Sequence, residues 1–331
     1  MHHEQQDLFI SHRRIASFSS FGKQALQEFP LSALRPLVLL GSATLLLAGC
    51  ADPSEPAGSS SGASASAPAS SAAAVTENAA LAAKVPAALK KSGITVASDV
   101  SYPPMDFFDA DNKTPIGAEI DLDKALGKVL GVEVTIVNVP FDSIIPGLQA
   151  GKYQLGVSSF TDTAEREKVV DFVTYFNAGT SLLVPTGNPE GLKPEGDSLC
   201  GRTVAVAKGS TQALVDLPAR AKSCGTPIKV STFPDGTGVN LAVTSGRADA
   251  ALADSPVAAY AAKRSGGKLA VVGASYDTAP FGIAVPKNSE LTGLLKSVLE
   301  DLRTTGGYQR ILAKWGLESG ALDDFEINAA S

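Results

Sequence analysis

Histidine is almost missing from this 331-residue chain: there are 3, and all of them (His2, His3, His12) come before residue 13. Beyond that point a Ser-His-Asp triad, a histidine general base and a histidine-ligated metal have no residue to use. Cysteine is equally sparse, with 3 residues (Cys50, Cys200, Cys224) and no CxxC spacing, so a dithiol redox motif is not expected. No Lys/Arg run is longer than a pair and the net charge is −6, which argues against a nucleic-acid partner because phosphate needs a basic surface. A phosphate-binding Walker loop is absent, and so is an apolar run long enough to span a bilayer. Neither a cofactor nor a metal site is expected.

What is present is a large apolar fraction, 44%, enough for well-packed cores in a chain long enough for two domains. The N-terminal part reads differently. Residues 37–49, LVLLGSATLLLAG, form a short apolar run after Arg35, too short to cross a membrane but suited to a signal peptide. The ending Leu47-Ala48-Gly49-Cys50 resembles a bacterial lipobox, so residues 1–49 are expected to be removed and Cys50 to be acylated. The mature protein would then contain no histidine. Residues 50–75, dominated by Ser, Ala, Gly and Pro, read as a disordered tether with a reach of roughly 25–30 Å. Asp52 resembles an inner-membrane retention signal, should the host have two membranes.

From residue 90 the pattern becomes regular. A strand over Ile94–Ser98 is followed by a loop with Asp99, Tyr102, Pro103 and Pro104. Ile120, Leu122, Ala125, Leu126, Val129 and Leu130 recur at helical spacing, and Gly131 ends that helix. Val132–Val139 reads as a second strand, Asp142 as the cap of a helix over Ile144–Ala150, and Tyr153–Val157 as a third strand. This β-α-β-α-β order implies a parallel sheet, whose ligands bind at the carboxyl ends of strands, so Asp99, Tyr102, Phe141 and Ser158–Arg166 should share one rim. The Pro/Gly-rich segment 185–197 looks like a passage into another lobe, where the pattern restarts with strand Thr203–Ala207, the turn Lys208-Gly209-Ser210-Thr211 and a helix from about Gln212. Strands near Ile228–Ser231 and Ala248–Leu252 follow, with a helix around Gly238–Ser245 between them. Asp254 precedes Ser255-Pro256 in the manner of a helix N-cap. Phe281–Val285 returns to the first lobe, which helices Leu291–Leu302 and Tyr308–Trp315 complete. Crossings near 182–187 and 280–287 would make a hinge. Residues beyond Gly316 carry no readable signal.

The stretch GVSSFTDTAEREKVVDF, residues 156–172, concentrates the chemistry. Asp162 and Glu165 have capping-box spacing, so a helix is expected from about Asp162, with its free amides and the hydroxyls of Ser158, Ser159, Thr161 and Thr163 close by. Arg166 adds a planar fork that fits a carboxylate. Two readings stand side by side: a receptor for one small carboxylate, or a capped surface helix with an ordinary Arg. Asp254 likewise reads either as a plain cap or as a partner for a cation. Asp99 reads as a loop or N-cap carboxylate, or as a pocket residue. Cys200 and Cys224 flank the first strand and helix of the second lobe, and an exported compartment permits a disulfide there; closing that 25-residue loop would stabilise it by about 3.5 kcal/mol.

The segments IGAEIDLDKAL, FDSIIPGLQAGKYQLGVSSFTDTAEREKVVDF, GRTVAVAKGST, SGRADAALADSPVAAY and PFGIAVPKN, spread over nearly all of 90–316, resemble the extracellular solute-binding proteins of the polar amino-acid family. These are receptor subunits of ABC importers. The resemblance implies an α/β, two-lobe periplasmic-binding-protein fold (Venus flytrap, type II) with two crossover strands as hinge: lobe 1 from 76–184 plus 283–331, lobe 2 from 185–282. It also implies closure of the lobes around a ligand. Carried over by position, Arg166 meets the ligand α-carboxylate with the backbone near Thr161 and the Gly209-Ser210-Thr211 turn. Asp254 meets the α-ammonium with Ser159 and Thr161, while Asp99, Tyr102, Phe141 and Ser158 line the side-chain pocket. A facing Asp99 would favour a basic or strongly polar side chain. The implied partners are an amino acid, an ABC permease and, through Cys50, the outer face of the cytoplasmic membrane, with the protein a monomer. Two other readings remain: a sensing lipoprotein uncoupled from transport, and a dehydratase-like enzyme on the same scaffold.

Overall fold

The computed structural model describes residues 74–330. The signal peptide, the lipobox Cys50 and the tether up to residue 73 lie outside the described residues. Helices α1 (Ala79–Ala83) and α2 (Ala87–Ser92) lead into strand β1 (Ile94–Ser98). Three short strands, β2 (Ser101–Tyr102), β3 (Asp106–Phe108) and β4 (Pro115–Ile116), form a small antiparallel sheet of their own. Helix α3 (Ala118–Leu130) buries the apolar stripe its spacing predicts, including Ile120, Leu126 and Val129, and ends at Gly131. Strand β5 (Val134–Asn138), helix α4 (Phe141–Gln149), strand β6 (Leu155–Gly156) and the single-turn helix α5 (Ala164–Glu167) follow.

Strand β7 (Val170–Pro185), 16 residues long, comes next. Beyond it come β8 (Thr203–Ala207), a π-helical turn over Gln212–Asp216 that continues into α6 (Leu217–Ala221), β9 (Lys229–Phe233), α7 (Gly236–Thr244), β10 (Ala250–Asp254) and α8 (Ser255–Arg264). The second long strand, β11 (Leu269–Pro286), leads to α9 (Leu291–Thr304) and α10 (Gly307–Trp315). The main sheet has the order β5-β1-β6-β11-β7-β10-β8-β9. β1 pairs in parallel with β5 and β6 at one end, and β8 with β9 and β10 at the other. The long strands β7 and β11 are antiparallel to each other and join the two parallel blocks; their pairing shifts register between Val272 and Tyr276, Tyr276 and Ala279, and Phe281 and Gly282.

Each block is covered on both faces, as a parallel sheet requires. In the first lobe Val96, Leu126, Val173, Phe281 and Leu295 pack on one face and Ile144, Leu148, Phe160 and Phe172 on the other. In the second, Leu182, Val184, Val204 and Leu252 face one way while Leu183, Ala205, Val239 and Ala251 face the other. The alternation of Leu182, Leu183 and Val184 is the two-residue period of a strand buried on both sides. It also moves the crossings. Ala178 belongs to the first-lobe core and Leu182 to the second, and on the return strand Val272 packs with the second lobe and Phe281 with the first. The chain therefore passes over between 178 and 182 and between 272 and 281, slightly ahead of the expected crossings near 182–187 and 280–287.

Other expectations shift for local reasons. Helix α4 starts at Phe141 directly after Pro140, so Asp142 lies in its first turn rather than capping it. The Phe141 amide is taken instead by Asp99 Oδ2 at 3.2 Å, a cap supplied from another strand end. The capping box at Asp162 and Glu165 does not form. Thr163 is the N-cap, its Oγ1 accepting from the Arg166 amide at 3.3 Å, and Asp162 turns inward. Asp254 occupies the N-cap position of α8, but its side chain makes no capping bond. Cys200 and Cys224 are joined by a disulfide with a Cα separation of 5.4 Å.

The segment after Gly316, read as uninformative, packs against the first lobe. Phe325 is 2% exposed and lies edge-on to Tyr308. Asn328 takes the Phe172 amide at 2.9 Å and donates to Asp171 at 3.0 Å. The amides of Ala329 and Ala330 then donate to Asp162 Oδ2 at 2.8 Å and Glu167 Oε1 at 2.9 Å, on either side of Arg166.

Candidate functional site

The parallel strands of both blocks point their carboxyl ends at the gap between the lobes, where an α/β sheet binds ligands. β1 ends at Asp99, β6 delivers Ser158 and Ser159, β8 leads to the 208–211 turn, and β10 ends in Asp254. A pocket forms there. All ten residues singled out from the sequence line it: Asp99, Tyr102, Phe141, Ser158, Ser159, Thr161, Arg166, Ser210, Thr211 and Asp254. Ala207, Gln212 and Gly236 complete the wall.

Arg166 is fixed from both lobes. Its Nη1 donates to the Thr161 carbonyl at 2.8 Å and its Nη2 to the Gly209 carbonyl at 3.1 Å. The guanidinium lies 5.6 Å and 5.3 Å from the ring centroids of Phe141 and Phe160, which stack on each other at 4.4 Å. Gly209 has φ of 81°, so its turn needs a residue at ease in the left-handed region. Asp254, in the opposite lobe, accepts from Tyr102 Oη at Oδ2 (2.9 Å) and from Gln212 Nε2 at Oδ1 (2.9 Å). Its amide in turn donates to Tyr102 Oη at 3.2 Å. Lys208 and Asp142, 2.8 Å apart, bridge the rim, and the Gly236 amide reaches Ser101 Oγ at 3.4 Å. The two lobes thus touch across the cleft.

Burial sets the charge states. It raises the Asp254 carboxyl to about 6 against the pull of the Tyr102 and Gln212 hydrogen bonds and the Arg166 charge. It lowers Arg166 to about 10, opposed by Asp254 and Asp162, so the guanidinium stays charged at neutral pH. Asp99 is raised by burial, against hydrogen bonds from Ser101 and Phe141, and raised further by the nearby Asp235 and Asp142 carboxylates. With Asp254 and Asp99 ionised, the pocket presents one cation and two anions. A zwitterion would leave one negative charge over.

Residues 94–318 match the description of the bacterial extracellular solute-binding proteins, family 3. The chain belongs to this family. The arginine-binding protein ArgT of Corynebacterium glutamicum is 39% identical over 251 residues, 74% of this chain and 82% of that protein. Among solved structures, an ancestral arginine-binding protein bound to arginine has a TM-score of 0.62 at 36% identity, covering 67% of this chain and 97% of its own. The ancestral amino acid-binding protein AncCDT-1, a precursor of cyclohexadienyl dehydratase, has a TM-score of 0.63 at 36% identity, covering 69% and 97%. Family 3 consists of solute-binding proteins, and the two-lobe α/β architecture described above is theirs. Among the described residues no helix is long and apolar enough to cross a membrane.

Within this family 3 cleft, Gln212 is a wall residue that the sequence reading does not single out. The π-helical turn aims its side chain inward, where Nε2 bridges Asp254 Oδ1 and Thr180 Oγ1 (3.0 Å). A glutamine directly after a Gly-Ser-Thr turn, at the start of a helical segment, is the available signal. Phe141 is expected from the sequence to line the side-chain pocket. It does line the pocket, but its ring also stacks on Phe160 and lies against the Arg166 guanidinium.

Proposed function

We propose that this chain is the receptor for a basic L-amino acid, with arginine the first candidate. The observation that carries the reading is the charge balance of the pocket lining: a single guanidinium from Arg166 against the carboxylates of Asp254 and Asp99. Arg166 takes the ligand α-carboxylate, Asp254 the α-ammonium with Ser159 and Thr161, and Asp99 the distal cation, while Tyr102 and Phe141 cover the aliphatic stem. The total charge of site plus ligand is then zero, which limits the cost of burying these charged groups together. The family relatives named for arginine support this choice of side chain.

Closing the cleft excludes water and strengthens each ion pair. The closed form then docks on an ABC permease and releases its cargo. In this reading Cys50 carries the lipid that holds the monomeric receptor at the outer face of the cytoplasmic membrane. The test is thermal unfolding of residues 76–331 against each of the twenty amino acids, followed by calorimetry on the hits. A ligand at 100 times its Kd adds about 2.7 kcal/mol of stability, a readily measured shift. Arginine and lysine should shift the transition, and Arg166→Ala should abolish the shift with its own fold intact. A response confined to neutral or acidic amino acids would overturn the assignment of Asp99 and the charge argument with it.

A further inference from the structure

Behind the pocket wall of the first lobe two carboxyl groups are buried together, Asp106 (0% exposed) and Glu119 (1% exposed), and a third, Asp123 (1% exposed), lies near Glu119 and is held well above the usual carboxylate range by burial. Asp106 Oδ2 accepts from Ser98 Oγ at 2.5 Å and from Ser158 Oγ at 2.9 Å. Glu119 Oε1 accepts from the amide and the hydroxyl of Ser159, each at 2.8 Å, and from the Tyr175 hydroxyl. All these donors fall on one oxygen of each acid. The other two oxygens, Asp106 Oδ1 and Glu119 Oε2, are buried and take no donor from any other described residue. The Glu119 amide donates to the Met105 carbonyl at 2.9 Å, which sets the two acids side by side, and a hydrogen bond between their orphan oxygens would require a proton on one of them. Two facing anions in this setting would repel and stay unsolvated, whereas one shared proton satisfies both orphan oxygens. Burial and then the neighbouring Glu119 charge hold Asp106 well above the usual carboxylate range, and burial raises Glu119.

We propose that Asp106 and Glu119 are positioning residues that share one proton and thereby fix the hydroxyls of Ser158 and Ser159 as acceptors facing the cleft. Each serine spends its only O–H on a buried acid, so toward the pocket it has lone pairs and no proton to offer. That polarity suits ligand groups that only donate, an ammonium or a guanidinium. Ser158 Oγ also accepts the Asp99 amide at 3.0 Å, which carries the arrangement to the residue assigned to the ligand's distal cation. Ser159 has φ of 51°, in the left-handed region that a non-glycine residue seldom enters, and the two bonds to Glu119 hold it there. The inference rests on the basic amino-acid reading of the cleft.

The test is a cycle of Asp106→Asn, Glu119→Gln and the double variant. It reads the melting temperature without ligand and the arginine Kd by calorimetry. Glu119→Gln places an NH₂ where the shared proton was, donating to Asp106 Oδ1; Asp106→Asn does the converse. Each conservative single variant should hold Kd within about threefold, on the order of half a kcal/mol. The double variant sets two NH₂ groups face to face. The introduced glutamine cannot turn over, because the Ser159 amide needs its oxygen; turning the introduced asparagine over would reverse the Ser158 hydroxyl. Its affinity should fall at least about tenfold beyond the product of the singles, as an unsatisfied buried donor requires. Additive behaviour in both readouts overturns the shared proton. Coupling in melting temperature with an additive Kd overturns the positioning role. If the wild-type chain binds none of the twenty amino acids, the cleft reading fails and the positioning claim falls with it, while the ligand-free cycle still decides the shared proton.

Discussion

Replacing Tyr102 by Phe would keep the ring and remove one hydroxyl, the group through which the first lobe grips Asp254 in the second. That hydroxyl donates to Asp254 Oδ2 at 2.9 Å and accepts from the Asp254 amide at 3.2 Å. A neutral hydrogen bond contributes about 1 kcal/mol net and one to a charged acceptor about 1.5–3. Some of the loss is recovered because a bound ammonium can use the freed Oδ2 lone pair, which leaves about 2 kcal/mol. The other cross-cleft contacts do not make this up. The Lys208–Asp142 pair is solvent-exposed on the lysine side (66%), where water screens it, and the Gly236–Ser101 bond is long at 3.4 Å. For a receptor that is mostly open without ligand, apparent affinity scales with the closing equilibrium, so arginine should bind about 30-fold more weakly. Calorimetry gives the Kd, and small-angle scattering of the ligand-bound variant should show a larger open fraction at subsaturating arginine. A Kd within about twofold of wild type would refute the claim that this contact couples closure to binding.

Three further outcomes follow from the same geometry. Asp254 is raised by burial from 3.8 to about 6, so its contribution to ligand-free stability is full below about pH 3.8 and lost as pH rises through 6; the ligand ammonium needs the anion. Arginine affinity should therefore climb between about pH 5 and 7 and level off above, and calorimetry giving a flat profile over that range would contradict it. Asp99→Asn retains an oxygen for the Phe141 amide but drops the charge, so arginine binding should weaken about 10- to 100-fold and glutamine binding far less, read as a ratio of Kd values. Phe325→Ala should destabilise the protein by about 3–5 kcal/mol in denaturant titration, since the ring is fully enclosed.

The pocket was legible because its residues follow strands. Once Ile94–Ser98, Tyr153–Val157 and Ala248–Leu252 are recognised as strands of parallel blocks, Asp99, Ser158 and Asp254, which follow them, should share a rim. What was not legible depends on partners remote in the chain. Asp162 reads as half of a capping box from its neighbours alone; its true partner, the Ala329 amide, is 167 residues away. Asp142 reads as a cap until Pro140 and the carboxylate of Asp99 take over that helix start. The crossing points were hidden because Val170–Pro185 is one unbroken buried strand, so nothing local marks where its side chains leave one core and enter the next. Asp106 and Glu119 carry no assignment from the sequence, since neither reveals on its own that the other is beside it.

The long paired strands that join the lobes behave as a leaf spring. β7 and β11 are hydrogen-bonded to each other, which makes the ribbon stiff within the sheet, while the register shifts gathered between Val272 and Gly282 leave it compliant to bending. Gly179 sits against this weak point, where an added Cβ would stand 2.6 Å from the Tyr276 carbonyl oxygen. Gly179 also lines a space next to the pocket that shares Thr161, Thr211 and Asp254 with it, whereas Tyr276 lines neither. In the proposed receptor, substitutions in the register-shifted stretch around Tyr276 would therefore tune the force of closure more than the choice of ligand, and a designer could stiffen or soften the spring there to move the working concentration range.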